Sequence, residues 1–175
     1  MITWLRGLIP QPEIRAHLLR DEGEVIVDEV AHHWVAYVRP AGWGVLGVLL
    51  LVLGFFVDLS IAWLFLVAAG FVVALGGYQA LSVHMDRFVV TNMRVFRIHG
   101  VLSQSLATMP LIRILDITVR KPLIGRLLGY GSFVFESAAQ EQGLRVITTV
   151  GRPDERDLTI QRVVQRAGLR GPRVN

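Results

Sequence analysis

The sequence predicts a hairpin of two apolar helices joined to a β-rich domain, in which an antiparallel sheet is capped by one C-terminal helix. Three observations predict it. Between Arg39 and Asp86 the only formal charge is Asp58, so apolarity is concentrated in one stretch. After Ala80 the pattern changes to short alternating runs bounded by turn residues, which is how strands read. From Pro153 to Ala167 an apolar stripe recurs at helical spacing and stops at Gly168.

Composition sets the outer limits. The chain has 175 residues, 53% of them hydrophobic and 18% charged, with 18 Lys+Arg against 14 Asp+Glu and no cysteine. So much apolar surface excludes a disordered chain. The missing cysteines remove disulfide scaffolds, thiolate metal sites and thiol nucleophiles together.

Residues 1–40 read as an N-terminal segment. The piece ITWLRGLI is weakly amphipathic and fits either an interfacial helix or a loosely ordered tail. Residues 24–38, EVIVDEVAHHWVAYV, are β-branched and fit either a strand of the following domain or a lead-in to the first helix. His32 and His33 are adjacent, and neighbours on a strand point to opposite faces, so they make a poor metal pair.

Residues 41–80 form the hairpin, with helices over about 39–57 and 60–80. A helix rises about 1.5 Å per residue and the hydrocarbon core is about 30 Å thick, so about 20 residues make one span. The second run meets this, and the first reaches it with Arg39 snorkelling to the headgroups. A soluble bundle would have to cover both helices on all sides, which the rest of the chain is too short to do. The connection at Asp58-Leu59-Ser60 is tight, so both chain ends fall on one side. Lys+Arg number 4 in residues 1–40, none in 41–80 and 14 in 81–175, which predicts a plasma-membrane protein with both termini cytoplasmic. Gly47 and Gly54 on one helix, and Ala62, Ala69 and Gly76 on the other, recur seven apart and point to close helix packing.

The domain occupies residues 84–167. Candidate strands are 84–91, 94–99, 108–119, 132–137 and 144–150, with turns at Asn92-Met93, at Gly100 and at Glu141-Gln142-Gly143. In the last strand Leu144, Val146, Thr148 and Val150 share the predicted core face. The capping helix has Pro153 in its first turn, Asp154, Glu155 and Asp157 near its positive end, and Arg162 and Arg166 near its negative end. Residues 168–175 read as a disordered tail.

Four blocks carry a resemblance. Phe88-Val89-Val90-Thr91-Asn92-Met93-Arg94-Val95, Gly100-Val101-Leu102-Ser103, Met109-Pro110-Leu111-Ile112-Arg113-Ile114-Leu115-Asp116-Ile117 and Gly125-Arg126-Leu127-Leu128-Gly129-Tyr130-Gly131 stand in an order and spacing similar to the bacterial pleckstrin-homology-like (PH-like) domain of YdbS-like membrane proteins. The resemblance spans roughly 84–166 and implies a PH-like fold, a bent antiparallel sheet closed by the C-terminal helix, with no chemistry attached. Arg120-Lys121-Pro122 departs from the family's usual uncharged pair. The segment GRLLGYG is glycine-rich, but it lacks the Lys-Ser/Thr of a phosphate-binding loop and opens no helix.

No nucleophile and base pair, metal spacing or carboxylate dyad stands out, so no catalytic, cofactor-binding or metal-binding residue is assigned and no cofactor is expected. Positive charge held near a membrane is the remaining feature. Residues 81–175 carry 14 Lys+Arg and 7 Asp+Glu, and Arg87, Arg120, Lys121 and Arg126 are the candidate contacts to anionic lipid headgroups. The expected function is a membrane-anchored PH-like binding module, engaging lipid headgroups, another membrane protein or a second copy, with no catalysis and no nucleic-acid binding. The alternative is an accessory subunit that stabilises a larger membrane complex through the hairpin.

Overall fold

The computed structural model of the chain describes residues 14–137, 144 and 146–169. It divides into two units, a helical one over residues 34–84 and a β-rich one formed by the residues on either side of it.

In the helical unit a short 3-10 turn, Trp34–Tyr37, leads into α1 (Val38–Gly54), and α2 covers Leu59–Met85. With that turn the first span has 21 residues and the second 27, both long and apolar enough to cross a bilayer. At about 1.5 Å per residue α2 alone is about 40 Å long. It runs five residues beyond the apolar stretch that ends at Ala80, so residues 84 and 85 are helical and not the start of a strand. The bend between the helices is closed by the Asp58 carbonyl, which accepts from the amides of Ile61 and Ala62.

Small residues set the fit of this pair. A Cβ on Gly47 would lie 2.5 Å from Val73 Cγ2, one on Gly54 3.1 Å from Phe65 Cβ, and one on Gly76 3.0 Å from Trp43 Cβ. Ala69, opposite Gly47, is 1% exposed. The glycines and alanines spaced by sevens thus form the seam, while Val48, Leu66 and Phe71 point outward and stay exposed.

In the β-rich unit, β1 (Ile26–Ala31), β2 (Arg87–Thr91), β3 (Arg94–His99) and β4 (Ser105–Pro110) make one antiparallel sheet in sequence order. β5 (Ile114–Arg120), β6 (Tyr130–Ser137) and β7 (Val146–Gly151) make a second. The β-branched segment before the first helix, expected to be either a strand or a helical lead-in, divides between the two. Residues 108–119 are two strands, not one. Pro110 has φ −60° and no amide to donate, so the ladder ends there, and a 3-10 turn at Leu111–Arg113 carries the chain to the other sheet. On the opposite side the sheets meet again, where the His33 amide donates to the Thr149 carbonyl at 2.7 Å and His32 pairs with Val150.

The core face of β7 differs from simple alternation. Leu144, Ile147 and Val150 are buried, whereas Val146 is 42% exposed. Gly131 pairs with Val150 and Phe133 with Ile147, so three steps on β7 oppose two on β6. Thr149, at φ 57°, takes up the extra residue as a bulge and returns Val150 to the inside.

Helix α4 (Pro153–Leu169) closes the unit and runs into residues assigned to the tail. Ile160 and Val163 enter the core beside Leu111, Ile114, Phe133 and Phe135. Arg156 Nη1 reaches Asp28 Oδ2 on β1 at 2.6 Å, tying the cap to the first strand. One further helix was not expected. Residues 123–128 of the glycine-rich block form the short α3 (Leu123–Leu128), ended by Gly129 at φ 76°. The expected interfacial helix at residues 2–9 and the turn at 141–143 lie outside the described residues.

Candidate functional site

Two polar clusters and one exposed surface organise the β-rich unit. The first cluster is built on Glu24, whose side chain is completely buried. Arg94 grips it from β3, with Nε donating to Oε1 at 2.9 Å and Nη2 to Oε2 at 3.0 Å. The Leu19 amide donates to Oε2 at 2.7 Å, and the Thr91 hydroxyl lies 2.8 Å from Oε1. Thr91 Oγ1 also accepts from the Arg94 amide at 3.0 Å. Burial alone would raise the Glu24 pKa, but the Arg94, Leu19 and Thr91 hydrogen bonds outweigh it and hold the carboxyl below its ordinary value. Asn92 completes the join, accepting from the Val25 amide at 2.9 Å and donating to the Gly23 carbonyl at 3.1 Å. The Thr91-Asn92-x-Arg94 block is therefore more than a hairpin turn, since its polar side chains clamp the segment before β1 onto the sheet.

The second cluster lies just outside the two points where the chain enters and leaves the helical unit. Asp86 receives Arg97 Nε at 2.7 Å and Nη2 at 2.6 Å, a two-pronged bond across the sheet, and His32 Nε2 lies 2.8 Å from Oδ2. Burial pushes the Asp86 pKa up, yet the bonds from Arg97 and His32 dominate and hold it far below the carboxylate range. The same pairing raises Arg97. His33 stacks on Tyr130 at 5.8 Å, so the adjacent histidines are committed to different neighbours. Among the described residues no group of three or more His, Asp and Glu side chains is gathered as a metal site.

The basic candidates separate. Arg87 opens β2, half-buried between Ala31 and Ile98 of the neighbouring strands, and so belongs to the first sheet. Lys121 is paired with Asp154 at the start of α4. Arg120 ends β5 and Arg126 sits on α3, both exposed, and neither side chain makes a hydrogen bond or ion pair with another described residue. The structure thus brings Arg120, Lys121 and Arg126 to one end of the second sheet and leaves Arg87 apart.

Between Arg120 and Gly129 lies the surface that sequence reading missed. Leu123 is 82% exposed, Ile124 63% and Leu127 86%, whereas Gly125 is buried. A Cβ on Gly125 would come within 2.4 Å of the Tyr130 carbonyl oxygen, so α3 presses its glycine onto the start of β6 and turns its large side chains outward. The signal was present in LIGRLL, where the one residue without a side chain stands among four apolar residues and one arginine.

A family model described as the bacterial PH domain matches residues 43–167. The match begins within α1 and leaves β1 and its Glu24 clamp outside. PH domains are in general binding modules for proteins or lipids, and no catalytic family is indicated. No curated protein and no solved structure matches the chain.

Proposed function

The chain belongs to the bacterial PH domain family, and from that premise we propose that it is a membrane-anchored, non-catalytic binding module held at the cytoplasmic face by a transmembrane hairpin. The observation that carries this reading is topological. The helical unit is inserted between β1 and β2, which are adjacent paired strands joined at Ala31 and Arg87. The domain is therefore fastened to two apolar helices, one through each of two neighbouring strands, and the Asp86 cluster sits between those attachment points. The exposed apolar side chains of the helices, with only 11% of each span's residues buried, fit lipid contact better than a soluble core. The distribution of Lys+Arg around the uncharged hairpin tip supports cytoplasmic termini.

An alkaline phosphatase fusion at Asn175, active only outside the cytoplasm, tests the orientation. The reading expects an inactive fusion there and an active one when the enzyme is inserted after Asp58. The reverse pattern overturns it. The same outward-facing side chains of α1 and α2 also favour a second reading, in which the hairpin docks on helices of a larger membrane complex. Co-purification of that complex with the hairpin alone would establish it, and loss of co-purification would remove it.

A further inference from the structure

We propose that α3 is a membrane-dipping knuckle, in which Leu123, Ile124 and Leu127 enter the interface of an anionic bilayer while Arg120 and Arg126 bind the headgroups around them. This rests on the membrane-anchored reading and specifies which surface of the domain meets lipid.

The side-chain arrangement of α3 runs against that of the domain around it. Elsewhere in the β-rich unit α4 serves the core, turning Ile160 and Val163 into it, and the most exposed large residues described outside α3, Leu102, Ile112 and Leu115, lie outside α-helices. In α3 the glycine is inside and the leucines are outside. Packing does not demand this, because an amphipathic helix that serves a core directs its leucines inward. A surrounding that is itself apolar makes it favourable, as the proposed bilayer does for the helical unit, where Gly47 and Gly76 face the seam and Val48 and Phe71 face out.

Charge narrows the occupant to a lipid surface. Lys121 is engaged by Asp154, and Arg152, whose amide donates to the Gly129 carbonyl at the end of α3, pairs with Glu155, so both carboxylates at the start of α4 already face a cation. Arg120 and Arg126 flank the apolar side chains without a partner among the described residues. Apolar side chains flanked by two arginines whose side chains have no partner among the described residues match the two layers of an anionic interface, acyl chains below and phosphates above. Such a combination is the two-signal arrangement that membrane attachment requires, a modest apolar insertion plus electrostatic attraction.

The chain has no cysteine, so a single introduced one is a unique label site. The full chain would be reconstituted in nanodiscs of phosphatidylcholine, alone or mixed equally with phosphatidylglycerol, with an environment-sensitive fluorophore at Leu127→Cys. Leu158→Cys on α4 serves as an exposed reference and Val48→Cys reports the hairpin. In anionic discs the label at position 127 is expected to emit in the blue and to be quenched by nitroxide lipid, while that at 158 stays aqueous. Arg120→Gln and Arg126→Gln should each lower the ratio of inserted to aqueous label about fivefold. With the label moved to Ile124→Cys, Leu127→Ser should lower it about tenfold. All these side chains are exposed, so unchanged thermal melting is expected of every variant. A quenched label at 48 beside an aqueous one at 127 overturns the knuckle and leaves the anchor standing. Aqueous labels at both positions overturn the anchor itself. A buried label at 127 that ignores lipid charge and disappears in discs holding one chain shows a second copy on α3, and also overturns the proposal.

Discussion

The packed interiors of the two units are built from opposite kinds of residue. In the β-rich unit Phe88, Phe133 and Phe135 stack at centroid distances of 5.4 and 6.2 Å inside a core that Val30, Met109 and Ile160 complete. In the helical unit small residues, Gly47, Ala69 and Gly76, let the helices meet at the seam, and large ones such as Phe71 and Leu66 are 65% and 63% exposed. The difference is the one expected if, as proposed, the helical unit lies in lipid and the β-rich unit in water. Water drives large side chains inward because apolar burial is favourable there. In lipid that drive between helices vanishes, and close approach of backbones at small residues holds them together.

This contrast can be broken most sharply in the core. Phe133→Ala, at a position 1% exposed, should destabilise the β-rich unit by about 4 kcal/mol in denaturant unfolding of the detergent-solubilised chain. Phe71→Ala, in the same assay, should change stability by less than about 1 kcal/mol, because its side chain leaves one apolar contact with detergent for another. Equal losses would dissolve the contrast. Arg94→Ala should follow with a loss of about 3 kcal/mol, since it leaves the Glu24 carboxylate buried without its cation.

The helical unit gives the converse case, in which adding atoms does the harm. Gly47→Val should cost about 2 kcal/mol, read as a lower melting temperature of the helical signal, because its Cβ would meet Val73 at 2.5 Å. Gly70→Val has open space around its Cβ and should be close to neutral. A pH titration sharpens the account of the polar clusters. Glu24 and Asp86 are held below the ordinary carboxylate range, so their contribution is present above the unfolded value of about 4 and is lost as the pH falls through the lower folded values. The melting temperature of the β-rich unit should therefore fall on acidification below about pH 4, and less steeply in Asp86→Asn. The smallest effect belongs to Glu155→Gln, where a 71% exposed partner of Arg152 is worth less than about 0.5 kcal/mol.

Local pattern made part of this legible. The strand at 94–99 and the capping helix from Pro153 are each written in consecutive residues and start where their patterns put them, while α1 stops at Gly54, short of the expected 57, and α2 runs on to Met85. What escaped depends on partners far along the chain. Glu24 and Arg94 are 70 residues apart, so neither reveals that the segment before β1 is clamped to the sheet. Val146 and Ile147 exchange faces because of one left-handed backbone at Thr149, which a threonine does not announce. Among the basic candidates, Lys121 looks as available as Arg120 until Asp154 is placed beside it. The glycines of 125–131 were legible as a close approach, but they read as a bend, and the leucines between them gave no sign of facing outward until the Tyr130 carbonyl was found behind Gly125.

The central claim is the proposal that the helical unit shows its large side chains to lipid while the aromatic core of the β-rich unit, Phe88, Phe133 and Phe135, is closed to its surroundings. Single cysteines at Val48, Phe71 and Phe133, challenged with a water-soluble maleimide in intact membranes, test it most directly. The account predicts that Val48→Cys and Phe71→Cys stay unreactive until detergent dissolves the bilayer, and that Phe133→Cys stays unreactive in detergent until denaturant unfolds the domain. Rapid labelling of Val48→Cys or Phe71→Cys in intact membranes would contradict it.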